Sequence, residues 1–129
     1  MNMFSIDRKK PPCENMKNFN SLPEFDKELK RLGEKYPSLS DDLKKFEKLI
    51  AEYPTGIGVN FTRIHHSPHL QIVKARLSCK SLRDRSIRVI YAYHKETITF
   101  MYLEIYFKGE KENENYERVK EYIKTHMKF

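Results

Sequence analysis

The stretch VKARLSCKSLRDRSIRVIY, residues 73–91, decides the fold because it carries two strand patterns joined by a short polar connection. Apolar and polar side chains alternate on both sides of CKSLRD (79–84), as in the two strands of a hairpin. In the first strand, HLQIVKARL (69–77), one face is predicted to carry Leu70, Ile72, Lys74 and Arg76, and the other Gln71, Val73, Ala75 and Leu77. The stretch holds six cations and one anion among its nineteen side chains, so this hairpin concentrates positive charge.

Two more segments extend the hairpin into a meander. SIRVIYAYH (86–94) and TITFMYLEIYF (97–107) are rich in β-branched and aromatic residues, and the dipeptide KE between them indicates a turn. A short additional strand at about 17–21 is an open alternative. The sequence therefore predicts three consecutive antiparallel strands in the second half of the chain.

Helical patterns flank the meander. Apolar side chains recur at helical spacing within 21–36 and 38–54, and again within 113–127. Pro37 lies between the first two helices and favours a helical hairpin. The predicted fold class is α+β, with a helical hairpin packed on a small antiparallel sheet and a C-terminal helix.

The length predicts one domain at 18–129. The preceding residues 1–17 contain Pro11-Pro12 and lack periodicity, so they are expected to form an N-terminal arm or a disordered leader. No apolar run has the length of a membrane span, and no secretory signal is evident. Cys13 and Cys79 are 66 positions apart and form no motif, so reduced thiols and a cytoplasmic location are expected.

The net charge of +7 is unevenly distributed, because residues 73–91 contribute +5 of it. A focused basic surface favours a polyanion such as RNA, DNA or an acidic protein. Lys74 and Arg76 project from one strand face, and Arg88 is expected across the hairpin from them. Like charges so placed repel unless an anion bridges them, which favours a bound anion over simple solvation.

These segments resemble the RelE/ParE superfamily of bacterial toxins, which belong to type II toxin–antitoxin systems. The resemblance rests on VKARL (73–77), IRVIYAY (87–93), IYFKGEKEN (105–113) and Tyr116, and covers about residues 18–125. It implies a ribosome-dependent mRNA endonuclease that needs no metal or cofactor and cuts mRNA in the ribosomal A site. In this reaction the 2′-hydroxyl of the mRNA attacks the adjacent phosphate and leaves a 2′,3′-cyclic phosphate. A cognate antitoxin protein is the other implied partner.

The resemblance also implies site residues. Lys74 and Arg76 match two basic residues at the scissile phosphate, Arg88 matches an arginine that stabilises its charge, and Tyr116 matches a tyrosine of the last helix. Lys108 and Lys111 are both candidates for the general acid. Arginine is a poor base, so the base would be Tyr116 or a Lys74 whose pKa is lowered by neighbouring cations.

Further residues are expected to contact RNA or to be structural. Lys80, Arg83, Arg85 and Tyr106 are grouped as RNA-binding candidates, the last by stacking on a base. For the three cations at the hairpin tip, solvation or steering of the RNA backbone is the favoured role. HHSPH (65–69) is assigned to an exposed loop without metal, and His94 to an exposed turn. Glu104 is expected to face a cation, and the acidic residues of EKENENYE (110–117) to cap the last helix.

Two other functions are compatible with the pattern. A ParE-like DNA gyrase inhibitor shares the expected fold but needs no catalytic cations. A non-catalytic RNA binder, or decayed toxin, is favoured by an arginine at position 76 and by the absence of an arginine after the last strand. The combination of Lys74, Arg76, Arg88 and Tyr116 favours the nuclease.

Overall fold

The protein is described here by a computed structural model that covers residues 18–126, and the arm predicted at 1–17 lies outside the described residues. The described part has an α+β architecture with three helices and a five-stranded mixed sheet. Its elements in chain order are β1 (Phe19–Ser21), α1 (Pro23–Lys35), α2 (Leu39–Glu52), β2 (Phe61–His66), β3 (Leu70–Cys79), β4 (Asp84–His94), β5 (Thr99–Phe107) and α3 (Tyr116–His126).

The sheet has the strand order β1-β5-β4-β3-β2. The predicted meander forms its centre, since β3, β4 and β5 pair antiparallel in succession. β1 adds to β5 in the parallel direction, so the short strand left open from the sequence is present. The three predicted helices are also confirmed.

β2 is a correction to the sequence interpretation. It pairs antiparallel with β3 and includes His65 and His66, which had been assigned to a loop. An irregularity between Arg63 and His65 shifts the register, and most side chains of this edge strand are polar. Both features remove the regular alternation from which a strand is predicted.

The core lies on both faces of the sheet. One face packs against α1 and α2 through Phe25, Leu32, Leu39, Phe46 and Ile50, all of which are buried. The other face packs against α3, with Val119 and Tyr122 seated on Leu70, Ile72 and Ile90. The faces of β3 are those predicted, because Val73, Ala75 and Leu77 belong to the first cluster.

A β-bulge gives the α3 side of β5 two successive side chains. The register between β4 and β5 shifts after Ile90, which leaves Leu103 as the extra residue. Leu103 packs beneath α3, and the next residue, Glu104, is fully buried and bonded to the segment that leads into α3. The bulge thus fixes the position at which α3 begins.

Candidate functional site: a cation cavity beside the third helix

α3 covers only part of its face of the sheet. Lys74 and Arg76 continue the row that Ile72 begins on β3, and Arg88 lies directly opposite Arg76 on β4. Directly opposite residues of an antiparallel pair lie on the same face with their Cβ atoms within about 5.5 Å, so the Arg76 and Arg88 side chains are neighbours. The sheet therefore brings together the three cations that the sequence predicted to converge.

These side chains line a cavity of about 250 Å³, which we call the cation cavity. Four cations line it together with one carboxylate and a rim of polar and apolar groups. Its lining residues are Val59, Asn60, Thr62, Ile64, Lys74, Arg76, Arg88, Lys108 and Glu114.

The loop between α2 and β2 builds one wall of this cavity. Gly56 has a positive φ of 84°, and a Cβ there would lie 2.0 Å from the Phe61 ring. Glycine therefore allows the loop to turn tightly over Phe61. The loop then delivers Asn60, whose carbonyl accepts the Arg76 N–H at 2.9 Å.

Lys74 is held in its charged form. Its Nζ lies 2.9 Å from Oε1 of Glu114, whose side chain is only 8% exposed. Partial burial opposes the positive charge, but the Glu114 carboxylate and the nearby Tyr106 hydroxyl outweigh it, and the pKa of Lys74 is raised. The expectation that neighbouring cations lower this pKa is wrong, because it overlooked the carboxylate. Lys74 is thus an ammonium cation in this cavity rather than a base.

The two arginines differ in their surroundings. Arg76 is exposed, whereas Arg88 is 9% exposed and is held by surrounding groups. A guanidinium presents donors in a rigid fork that matches two phosphate oxygens. Two neighbouring forks on one sheet face can therefore hold an anion whose negative charge increases during a reaction.

The structure separates the two lysines considered as general acid. Lys108 follows β5 and lines the cation cavity. Lys111 instead forms an ion pair with the buried Glu104, as the expectation that Glu104 faces a cation requires. The Lys111 ammonium also lies 5.3 Å from the centroid of the Tyr106 ring. Its position favours a structural role, and Lys108 is the better placed of the two.

Two tyrosines lie elsewhere than expected. Tyr106 is 3% exposed and packs under α3, so its ring cannot stack on a base and that prediction is wrong. Tyr116 is 58% exposed at the first position of α3, outside the cation cavity. The catalytic role of Tyr116 stays a prediction that these positions do not support.

The cations of the β3–β4 turn lie apart from the cavity. Lys80 lines a neighbouring cavity of about 260 Å³, which Lys45 of α2 and Arg76 also line. Chiefly through the close approach of Lys80, the pKa of Lys45 is lowered. Arg83 is exposed in the turn with a φ of 62°. The side chain of Arg85 lies outside what the structure describes.

Glu114 is the member of the site that sequence reasoning missed. It had been grouped with acids that cap α3, but Asn115 performs that function by accepting the Arg118 N–H at 3.1 Å. Glu114 and Lys74 are forty positions apart, so no local spacing links them. Only the chain path from β5 to α3 brings them together.

A histidine cluster at the other end of α3 was also missed. His94 had been assigned to an exposed turn, but it is half-buried and hydrogen-bonds the Tyr122 hydroxyl. Its ring centroid lies 5.2 Å from that of His126. The prediction failed because the C-terminal end of α3 reaches the end of β4, which the sequence alone does not specify.

Comparison of the chain with family models, with curated proteins and with solved structures finds no match in any of the three. Among the side chains that the structure describes, which exclude those of residues 84 and 85, no group of three or more histidine, cysteine or acidic side chains is placed to hold a metal ion. Among the helices of the described chain, none combines the length and apolar character of a membrane span.

Proposed function

We propose that the protein is a toxin of the RelE type, an endonuclease that cuts mRNA on the ribosome. One observation carries the proposal: Lys74, Arg76, Arg88 and Lys108 line one cavity on an open part of the sheet. Four cations at one cavity favour a polyanionic ligand, because their mutual repulsion is relieved when a phosphate binds between them.

The chemistry of RNA cleavage suits this arrangement. Attack of a 2′-hydroxyl on the adjacent phosphate builds negative charge on the phosphate oxygens. Arg76 and Arg88, opposite one another in the sheet, would hold those oxygens, and Lys74 would add a third positive charge. Lys108 would supply the proton that the departing 5′-oxygen requires.

The proposed partners follow from the same surface. The mRNA would enter the cation cavity while the ribosome holds it in the A site. An antitoxin would neutralise the protein by placing an acidic segment over these cations, so that its carboxylates take the place of RNA phosphates.

A non-catalytic RNA binder is the second candidate, and the Lys74–Glu114 ion pair favours it. This pair already neutralises one of the four cations. It also places an anion in the cavity that a phosphate would occupy. Such a protein would bind RNA with a strong salt dependence but leave the strand intact.

The test is a translation reaction on a defined mRNA, with the cleavage ends mapped and the same RNA run without ribosomes. We expect cuts within codons that need ribosomes and carry 2′,3′-cyclic phosphate. Arg88→Gln should slow cutting by about 10²- to 10³-fold, the cost of one missing donor to a developing oxyanion.

Arg63→Gln is the matched control, because Arg63 is an exposed β2 residue opposite Val73, on the other face of the sheet. It should cut at the wild-type rate. Intact mRNA with wild-type protein would refute the nuclease and leave RNA binding, or gyrase inhibition of the ParE type, as the function to assay. Equal losses in both variants would show that general charge, not this cavity, matters.

A further inference from the structure

The cation cavity contains a group that can accept a proton. The described residues that line it include four cations but a single acid, Glu114. Arginine does not lose its proton in proteins, and the pKa of Lys74 is raised. Burial, ahead of other effects, also raises the pKa of the adjacent Tyr106, so its phenol stays neutral. Glu114 is therefore the group among the described lining residues whose side chain can take up a proton.

Glu114 is also held in place. The next residue, Asn115, donates its backbone N–H to Oε1 of Glu104 at 2.8 Å, and Lys111 pairs with the other oxygen of that carboxylate. Glu104 has no exposed surface, so both ends of the segment 111–115 are fixed to a buried anchor on β5. A base that acts on a bound strand needs a fixed position of this kind.

We propose that Glu114 is the general base of the cleavage reaction and takes the proton of the attacking RNA 2′-hydroxyl. This inference rests on the proposed function for its substrate, single-stranded RNA. The O2′–P bond forms as the P–O5′ bond breaks, and the 5′-oxygen takes a proton from the Lys108 ammonium. The 2′-hydroxyl proton passes to a Glu114 carboxylate oxygen, and exchange with water then restores both side chains.

Lys74 has a positioning role in this scheme. Its ammonium contacts Glu114 in the free protein, and a phosphate entering the cavity competes for the same positive charge. The carboxylate is then released from its partner beside the bound strand. Substrate binding would thus prepare the base, which accounts for an acid in a cavity otherwise built for anions.

The experiment separates chemistry from binding in Glu114→Gln. We expect ribosome-dependent cutting at neutral pH to fall by about 10²- to 10⁴-fold, the usual contribution of a general base. Affinity for an mRNA carrying a 2′-deoxy nucleotide at the cut site should be unchanged or higher, since one anion leaves a cationic cavity.

Glu112→Gln is the matched control, because Glu112 is an exposed acid in the same connection and lies outside the cavity. It should match the wild type in both cutting rate and RNA affinity. If Glu114→Gln does not fold, Glu114→Asp keeps the charge and withdraws the carboxylate by one methylene. Its cutting rate should then fall while its RNA affinity holds.

The outcomes distinguish the two proposals. Undiminished cutting by Glu114→Gln, beside an active wild type, would refute the base and retain the nuclease. A wild type that binds the deoxy-substituted mRNA but never cuts the unmodified mRNA on ribosomes would refute both. Loss of RNA affinity equal to the loss of cutting would overturn the base as well, since Glu114 would then act only by holding the cavity together.

Discussion

The two halves of the sheet face beneath α3 differ in polarity and in exposure to solvent. The covered half, where Ile72, Ile90 and Leu103 lie under α3, is apolar and closed to solvent. The open half, two residues further along the same strands, presents Lys74, Arg76 and Arg88 to a cavity. The strands run through both halves without interruption, and only the reach of α3 divides them.

This comparison indicates how a small sheet carries both a core and a charged site. On the α1–α2 side of β3, residues 73–79 stay apolar at every second position because helices cover that side throughout. On the α3 side the pattern changes from isoleucine to lysine beside the first residue of α3, where the helix no longer covers the sheet. A strand face that turns from apolar to cationic therefore locates the edge of the helix above it.

The largest expected effect lies at the border between the halves. Lys111→Met removes the partner of a Glu104 carboxylate that has no exposed surface. Removing one member of a fully buried ion pair costs about 3–5 kcal/mol, because the other charge is left uncompensated. Glu104 is fully buried but Lys111 is 41% exposed, so we expect a loss near the lower end of that range. Urea unfolding followed by circular dichroism should show this loss in the midpoint, with little change in slope.

The control for this variant is Lys120→Met, which removes an exposed lysine from α3 and should leave the midpoint almost unchanged. Adding Glu104→Gln to Lys111→Met should recover part of the lost stability, since no unpaired charge is then buried. No recovery in the double variant would mean that the stem of Lys111, rather than its charge, holds the segment.

The next effect compares neighbours on one strand. Ile72→Ala leaves a cavity in the covered half and should cost about 2–5 kcal/mol of unfolding free energy. Arg76→Gln, four residues along the same face, should change stability by less than about 0.5 kcal/mol. It should nevertheless weaken RNA binding. The slope of the logarithm of the binding constant against the logarithm of salt concentration should become shallower by about 0.7, the value for one phosphate contact with a single strand.

Fluorescence anisotropy with an oligouridylate at several salt concentrations measures the RNA effect, and urea unfolding measures the other. A stability loss in Arg76→Gln as large as that in Ile72→Ala would remove the distinction between the halves. An unchanged salt slope would exclude Arg76 from the RNA contact.

The sequence predicted the meander and its two faces because alternation along β3–β5 is strong and local. It also identified the cations that converge, since their positions follow from strand period and hairpin register alone. The position of α3 on the sheet could not be predicted from the sequence. Glu114 beside Lys74, Tyr106 beneath the helix and His94 against Tyr122 all depend on where α3 is placed. That placement is determined by a bulge at Leu103 and a buried carboxylate, which leave no periodic signal.

The smallest effect concerns the far end of α3 and depends on pH. The pKa of His94 is lowered, first by partial burial and then by the charge of His126. The folded protein therefore binds fewer protons here than the unfolded chain, whose histidines titrate near about 6.5. The contribution of neutral His94 to stability is therefore complete above that pH and is lost as the pH falls through the folded pKa.

His94→Gln should accordingly flatten the decline in melting temperature between about pH 7 and about pH 5. The pKa of His65 is also lowered, mainly by burial, so part of the decline should persist. Lys120→Gln, on an exposed lysine of α3, is the control and should follow the wild type. An identical decline in His94→Gln and wild type would show that this end of α3 is anchored by packing alone, as the covered half is, and that charge matters only at the cavity end of the helix.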